Sequence, residues 1–164
     1  MAIGTRQILT WAALMGVSYA PSAASAMDLA ASGSWSVPVT ASDLVAGAGT
    51  GLVSSKDSAS TEVVLEVTLT SGSTDRWRID LRRANSVWDG DVHVWVRRTG
   101  SGSGTGSVTD GLSWTEVRST DTTFFEGEGD RSGLPIQIRV TGISLSITPD
   151  AYLTSLQYTL VDTL

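Results

Sequence analysis

Leu134 to Thr141 reads LPIQIRVT, and this stretch decides the fold class. Ile136, Ile138 and Val140 alternate with Gln137, Arg139 and Thr141. Successive side chains of an extended chain point to opposite faces, so a period of two builds one apolar and one wet face. An amphipathic helix would need apolar residues three and four apart.

The same period recurs outward from this stretch. Within Glu62–Thr70, Val63, Leu65, Val67 and Leu69 share a face. Trp77, Ile79 and Leu81 oppose Arg76, Arg78, Asp80 and Arg82. Val92, Val94 and Val96 oppose His93, Trp95 and Arg97. Ile143, Leu145 and Ile147 alternate with serines and a threonine, and Leu156, Tyr158 and Leu160 alternate with Ser155, Gln157 and Thr159. One apolar face per run is the pattern of antiparallel sheets with a core on a single side. Turn chemistry separates the runs. Ser71-Gly72-Ser73-Thr74 is expected to close a hairpin, and Asp89-Gly90 marks a tight turn. Residues 99–107 (TGSGSGTGS) are expected to form a mobile Gly/Ser loop. The reading is an all-β, antiparallel sandwich of about seven to nine strands.

The head of the chain has a different character. Arg6 precedes a mostly apolar run, Ile8 to Ala20, and the small-residue triplet Ala24-Ser25-Ala26 follows. That order is a cleaved export signal, residues 1–26. The run is only about 13 residues, whereas spanning a bilayer takes roughly 20. After cleavage no membrane span is expected, and residues 27–164 form a single domain. A secreted location follows, extracellular or periplasmic, with the chain either soluble or held at the cell surface by protein contacts.

All seventeen acidic residues but only ten of the eleven basic ones lie beyond residue 26, which leaves that part of the chain at −7. Phosphate recognition needs clustered positive potential, so no nucleic-acid partner is expected. The chain contains no cysteine and one histidine, His93. A disulfide framework is therefore excluded, and a zinc or iron centre is disfavoured.

Candidate catalytic groups do not converge in the sequence. The acids sit mostly in turns, and His93 alternates with valines on the wet side of a run. General acid–base work needs two positioned groups of suitable pKa, so a non-enzymatic role is expected. Glu126, Glu128 and Asp130 place three carboxylates on alternate positions of a glycine-containing loop, a candidate calcium site, and Asp89 and Asp91 flank Gly90 in a similar way. Trp88, Trp95 and Arg97 are the candidate ligand-binding residues: exposed indoles can stack on sugar rings, and a guanidinium can bind hydroxyls.

From Leu29 every second residue is small or apolar: Leu29, Ala31, Gly33, Trp35, Val37 and Val39. Residues 27–40 therefore form either this domain's own first strand, with Pro38 placing it at an edge, or a donor strand for a neighbouring subunit.

Near the end, Ile147-Thr148-Pro149-Asp150-Ala151-Tyr152 runs into the alternation of Leu156, Tyr158 and Leu160. This segment resembles the closing stretch of bacterial Ig-like and pilin-like sandwiches, with spore-coat-U-type and chaperone–usher fimbrial subunits the nearest families. The chain departs from fimbrial subunits in having no cysteine. The resemblance implies a subunit of a pilus-like appendage or coat that associates with itself or with other envelope subunits. A secreted carbohydrate-binding or adhesive module is the alternative, with a glycan as partner.

Overall fold

The computed structural model describes residues 7–12, 27–84, 88–148 and 150–163, the first of these segments by its backbone. The predicted cleavage point after Ala26 lies outside the described residues. Among the described residues twelve strands follow one another: β1 (Gln7–Ala12), β2 (Asp28–Val39), β3 (Ser55–Asp57), β4 (Val63–Thr68), β5 (Arg76–Ala84) and β6 (His93–Arg98), then β7 (Ser103–Gly104), β8 (Val108–Thr109), β9 (Thr115–Glu116), β10 (Thr122–Glu128), β11 (Arg131–Thr141) and β12 (Leu153–Asp162).

They form two antiparallel sheets. The larger has the order β2-β4-β11-β6-β9, with β3 and β7 also on β11, and the smaller has the order β8-β10-β5-β12. β1 joins the two, pairing antiparallel with β2 and parallel with β12. The apolar phases read from sequence point into one shared core. Val63, Leu65, Val67, Val94, Val96, Leu134, Ile136, Ile138 and Val140 come from the larger sheet; Trp77, Ile79, Leu81, Phe125, Leu156 and Tyr158 come from the smaller. Burying such a side chain stabilises the fold by about 1.5–3 kcal/mol relative to leaving it in water. This common core gives the molecule its sandwich-like, all-β character.

Three local expectations are corrected. Ser71–Thr74 does not close a hairpin, because β4 belongs to the larger sheet and β5 to the smaller. The connection crosses between sheets instead. At its start Leu69 takes a left-handed backbone (φ 61°) and lies exposed, so it leaves the apolar face of β4. Asp130 holds that bend by accepting hydrogen bonds from Thr70 N (2.9 Å) and Thr70 Oγ1 (2.7 Å). Ile143–Thr148 is a turn, not a strand. Ser144 and Ser146 share a hydrogen bond between their hydroxyls (2.6 Å), the local bonding by which serine competes with a sheet ladder.

The Gly/Ser run 99–107 is fastened to the body of the protein. Two buried arginines do this. Arg98 donates to the carbonyls of Asp110 (2.7 Å) and Gly100 (2.7 Å) and to Ser101 Oγ (3.0 Å). Arg131 donates to the carbonyls of Gly106 (3.2 Å), Gly104 and Ser101. Burial, together with the nearby charge of Arg131, pulls the pKa of Arg98 down. β7 and β8 then dock the run onto β11 and β10.

Candidate functional site

The outer face of the larger sheet carries the densest set of polar and aromatic side chains. Alternation along β6 sends Val94 and Val96 inward and leaves His93, Trp95 and Arg97 outside. On β11 the same alternation turns Gln137, Arg139 and Thr141 outward. The cross-strand register sets Gln137 opposite Arg97, Arg139 opposite Trp95, and Thr141 opposite His93. Side chains directly opposite on one face lie close enough to interact.

Each of these neighbours makes a defined contact. Arg97 Nε donates to Gln137 Oε1 (2.9 Å), and Gln137 Nε2 donates to the Ser58 carbonyl (2.9 Å). Trp95 Nε1 donates to Thr141 Oγ1 (3.0 Å). Arg139 grips Asp57 with a two-pronged bond, Nε to Oδ1 at 2.6 Å and Nη2 to Oδ2 at 2.7 Å. This fork holds the Asp57 carboxyl below its ordinary range and raises the pKa of Arg139 in turn. Trp114, just before β9, brings its indole against both guanidiniums, 4.6 Å from Arg97 and 4.2 Å from Arg139. Both distances fall within cation–π range. At the end of the face, Glu116 bonds His93 Nδ1 (2.8 Å) and Arg118 (3.0 Å). The His93 bond, then that of Arg118, lowers the pKa of Glu116.

The predicted ligand-binding residues are thus divided. Trp95 and Arg97 share the outer face. Trp88 is packed elsewhere: its Nε1 donates to the Val92 carbonyl (2.6 Å), Arg83 lies over its ring at 5.0 Å, and Tyr152 meets it edge-on. Trp114, Arg139 and Asp57 complete the face and were not singled out by sequence reasoning. Arg139 belonged to the wet phase of LPIQIRVT, but Trp114 lies outside any alternating run.

The candidate calcium residues are not gathered around one point. Glu128 pairs with Arg76 (3.1 Å), Asp130 bonds Thr70, and Glu126 sits mid-strand opposite Arg78 and Thr109. Among the described residues no group of three or more His, Cys, Asp or Glu side chains is close enough to hold a metal ion. The predicted placement of these carboxylates in a loop fails because β10 runs through Glu128, leaving only Gly129 and Asp130 before β11.

The predicted assembly segment is β2. Leu29, Ala31 and Val39 pack partly buried against the core, Trp35 and Val37 are buried in it, and Gly33 is exposed. Residues Asp28–Gly33 pair with β4. Gly33 then takes φ +130°, and a Cβ there would overlap the Glu62 carbonyl oxygen, so only glycine fits. Beyond it Ser34–Val39 leaves β4 and pairs with β1. The apolar face of the segment is therefore engaged in its own domain, and its backbone edge from Ser34 onward is what faces the junction of the sheets.

No helix among the described residues is long and apolar enough to cross a membrane. No protein-family model, curated protein or solved structure matches the chain.

Proposed function

We propose that this protein is an exported, non-enzymatic structural protein of the cell surface, a subunit of a pilus-like appendage or coat held together by β-strand contacts. The observation that carries this reading is the state of β2. Its second half buries Trp35 and Val37, yet its backbone pairs with Gln7–Ala12, the segment that export cleavage would remove. A sheet edge whose backbone groups are unpaired is a template for strand addition. An Ig-like sandwich is supported by Tyr152, whose hydroxyl donates to the Thr148 carbonyl four residues upstream (2.6 Å) just before β12. Greek-key sandwiches use a comparable tyrosine closure. Partners would be copies of the same chain or other envelope subunits, outside the cytoplasm.

The test is light scattering and negative-stain microscopy on the exported protein at micromolar concentration. Assembled particles are expected, and Ser36→Lys, a charge on the exposed side of the β2 edge, should disperse them. Monomers for both proteins would refute the proposal.

The second reading, a glycan-binding or adhesive module, is favoured by the outer face that joins Trp95, Arg97, Trp114 and Arg139. It predicts a change in tryptophan fluorescence with a polysaccharide ligand that Trp114→Ala abolishes. An unchanged response in Trp114→Ala counts against it.

A further inference from the structure

Trp114 is carried by a short stretch that the buried Arg98 ties down. Arg98 N donates to the Gly111 carbonyl (2.6 Å), and its guanidinium holds the Asp110 carbonyl (2.7 Å). Asp110 and Gly111 both take left-handed backbone, φ 61° and 73°, so the chain turns sharply just before Trp114. β9 is the edge strand of the larger sheet, paired with β6. Trp114 therefore approaches the outer face from the sheet edge. It meets Arg97 on β6 and Arg139 on β11, the next strand inward. An indole that reaches two strands from the edge lies across the face, over both guanidiniums. It is half-buried, so part of it stays open to solvent.

The charges around this indole are unevenly matched. Arg139 is paired with Asp57, and Arg118 and His93 share Glu116. Arg97 has a neutral partner, Gln137, through Nε. Among the described residues its two Nη nitrogens meet no acceptor, and they lie open to solvent. The Asp57 carboxyl, held low first by the Arg139 fork, also feels the Arg97 charge but forms no hydrogen bond with it. Arg97 thus presents unengaged N–H donors beside an aromatic platform. This positive site is local, because the whole chain carries −6 at pH 7 and repels polyanions in general. The smaller sheet offers a contrast. Arg82 Nε also donates to a glutamine, Gln157 (2.6 Å), but Asp121 lies 3.7 Å from it and no indole among the described residues is within cation–π range.

We infer that this face binds an acidic polysaccharide, one whose sugar rings carry a carboxylate (a polyuronate). The apolar side of a uronate ring covers the open part of the Trp114 indole. Its carboxylate accepts from the two Nη groups of Arg97, a planar match of fork to carboxylate. The Arg139–Asp57 pair holds the platform in place and does not touch the ligand. A neutral sugar would leave the Arg97 Nη groups without a partner. An anion without a sugar ring would leave the indole uncovered. This inference rests on the glycan-binding reading of the outer face and adds the charge class of the glycan.

The experiment titrates the purified protein at pH 7 with three probes, by calorimetry. They are polygalacturonate, its fully methyl-esterified form, which keeps the ring and removes the charge, and polyphosphate, which has charge and no ring. Polygalacturonate is expected to bind more tightly than either of the others, by about tenfold or more. This comparison is made on the parent chain and depends on no variant. Arg97→Gln should erase the preference for polygalacturonate over its ester, and Trp114→Ala should remove binding of both, with thermal melts showing each variant folded. Arg82→Gln, the same change of charge on the other sheet, should leave the polygalacturonate affinity unchanged. Equal affinity for polygalacturonate and its ester overturns the inference and leaves the glycan reading standing. Polyphosphate binding as tight as that of polygalacturonate, or equal losses from Arg97→Gln and Arg82→Gln, marks a general charge effect and also overturns it. Binding of neither polysaccharide overturns it as well, and the tryptophan-fluorescence test of Trp114→Ala then decides the glycan reading by itself.

Discussion

Gly127 lies under the largest buried side chain of the smaller sheet, and replacing it with alanine tests how that sheet is packed. An ideal Cβ at Gly127 would sit 2.5 Å from Trp77 Cζ2 and 3.0 Å from Trp77 Cζ3. Carbon atoms settle at about 3.5–4.0 Å, so the indole must retreat by about 1 Å. It has nowhere to go. Trp77 is fully buried, meets Phe125 edge-on with ring centroids 6.0 Å apart, and donates from Nε1 to the Gly129 carbonyl at 2.9 Å. Overpacking of this kind costs about 1–3 kcal/mol. A strained indole hydrogen bond adds about 1 kcal/mol. Gly127→Ala should therefore lose about 2–4 kcal/mol, a drop of roughly 6–14 °C in Tm for a domain of this size. Urea unfolding followed by far-ultraviolet circular dichroism measures it without relying on the indole. Trp77→Leu is itself destabilising, by about 3 kcal/mol, but it removes the obstacle. In that background Gly127→Ala should cost less than about 1 kcal/mol, a coupling of about 2 kcal/mol in a double-mutant cycle. Equal penalties in the two backgrounds would refute the reasoning.

Acid should weaken the outer face. The Arg139 fork keeps Asp57 ionised in the folded chain at pH values where the unfolded chain, near its ordinary 3.8, binds a proton. The pair's contribution is full above that value and is lost as pH falls through the lower folded value. Urea midpoints measured from about pH 6 down to about pH 2 should fall less steeply for Asp57→Asn than for the parent chain, and parallel curves would contradict the assignment. In the core, the Tyr158 hydroxyl is buried without a hydrogen-bond partner among the described residues, and burial pushes its pKa up. Tyr158→Phe should leave stability unchanged or raise it by up to about 1 kcal/mol; a loss larger than that, by the same urea assay, would show the hydroxyl to be bonded.

The inward rows of both sheets were legible in the sequence because a two-residue period fixes which way a side chain points. Val94, Val96, Ile136, Ile138, Trp77 and Ile79 are all buried as their phase requires. Partner choice was not legible. Nothing local in β4 or β5 distinguishes a hairpin from a crossing between sheets. The answer lies with Asp130, sixty positions away from Thr70 in the chain, which anchors the bend. Ile143–Thr148 shows the opposite failure, where the right period met serines that bond locally. Half of the outer face was legible for the same reason as the core: Trp95 and Arg97 occupy the wet phase of β6. Trp114 was hidden because it reaches Arg97 and Arg139 through tertiary placement, not through a pattern of its own. Arg98 carried a signal that went unread. It follows Val92, Val94 and Val96 in the inward phase, and a cation at an inward position needs buried acceptors.

Those acceptors change what the Gly/Ser run means for anyone wishing to display a peptide on this scaffold. Low-complexity segments invite insertions, since glycine and serine ordinarily signal slack chain. Here the carbonyls of Gly100, Ser101, Gly104, Gly106 and Asp110 are the coordination shell of two interior cations. Lengthening the run would strip Arg98 and Arg131 of their ligands and leave two charges stranded inside the protein. The permissive sites on this molecule therefore lie elsewhere, such as the exposed turn at residues 46–51, and the most flexible-looking sentence in the sequence is one of its least editable.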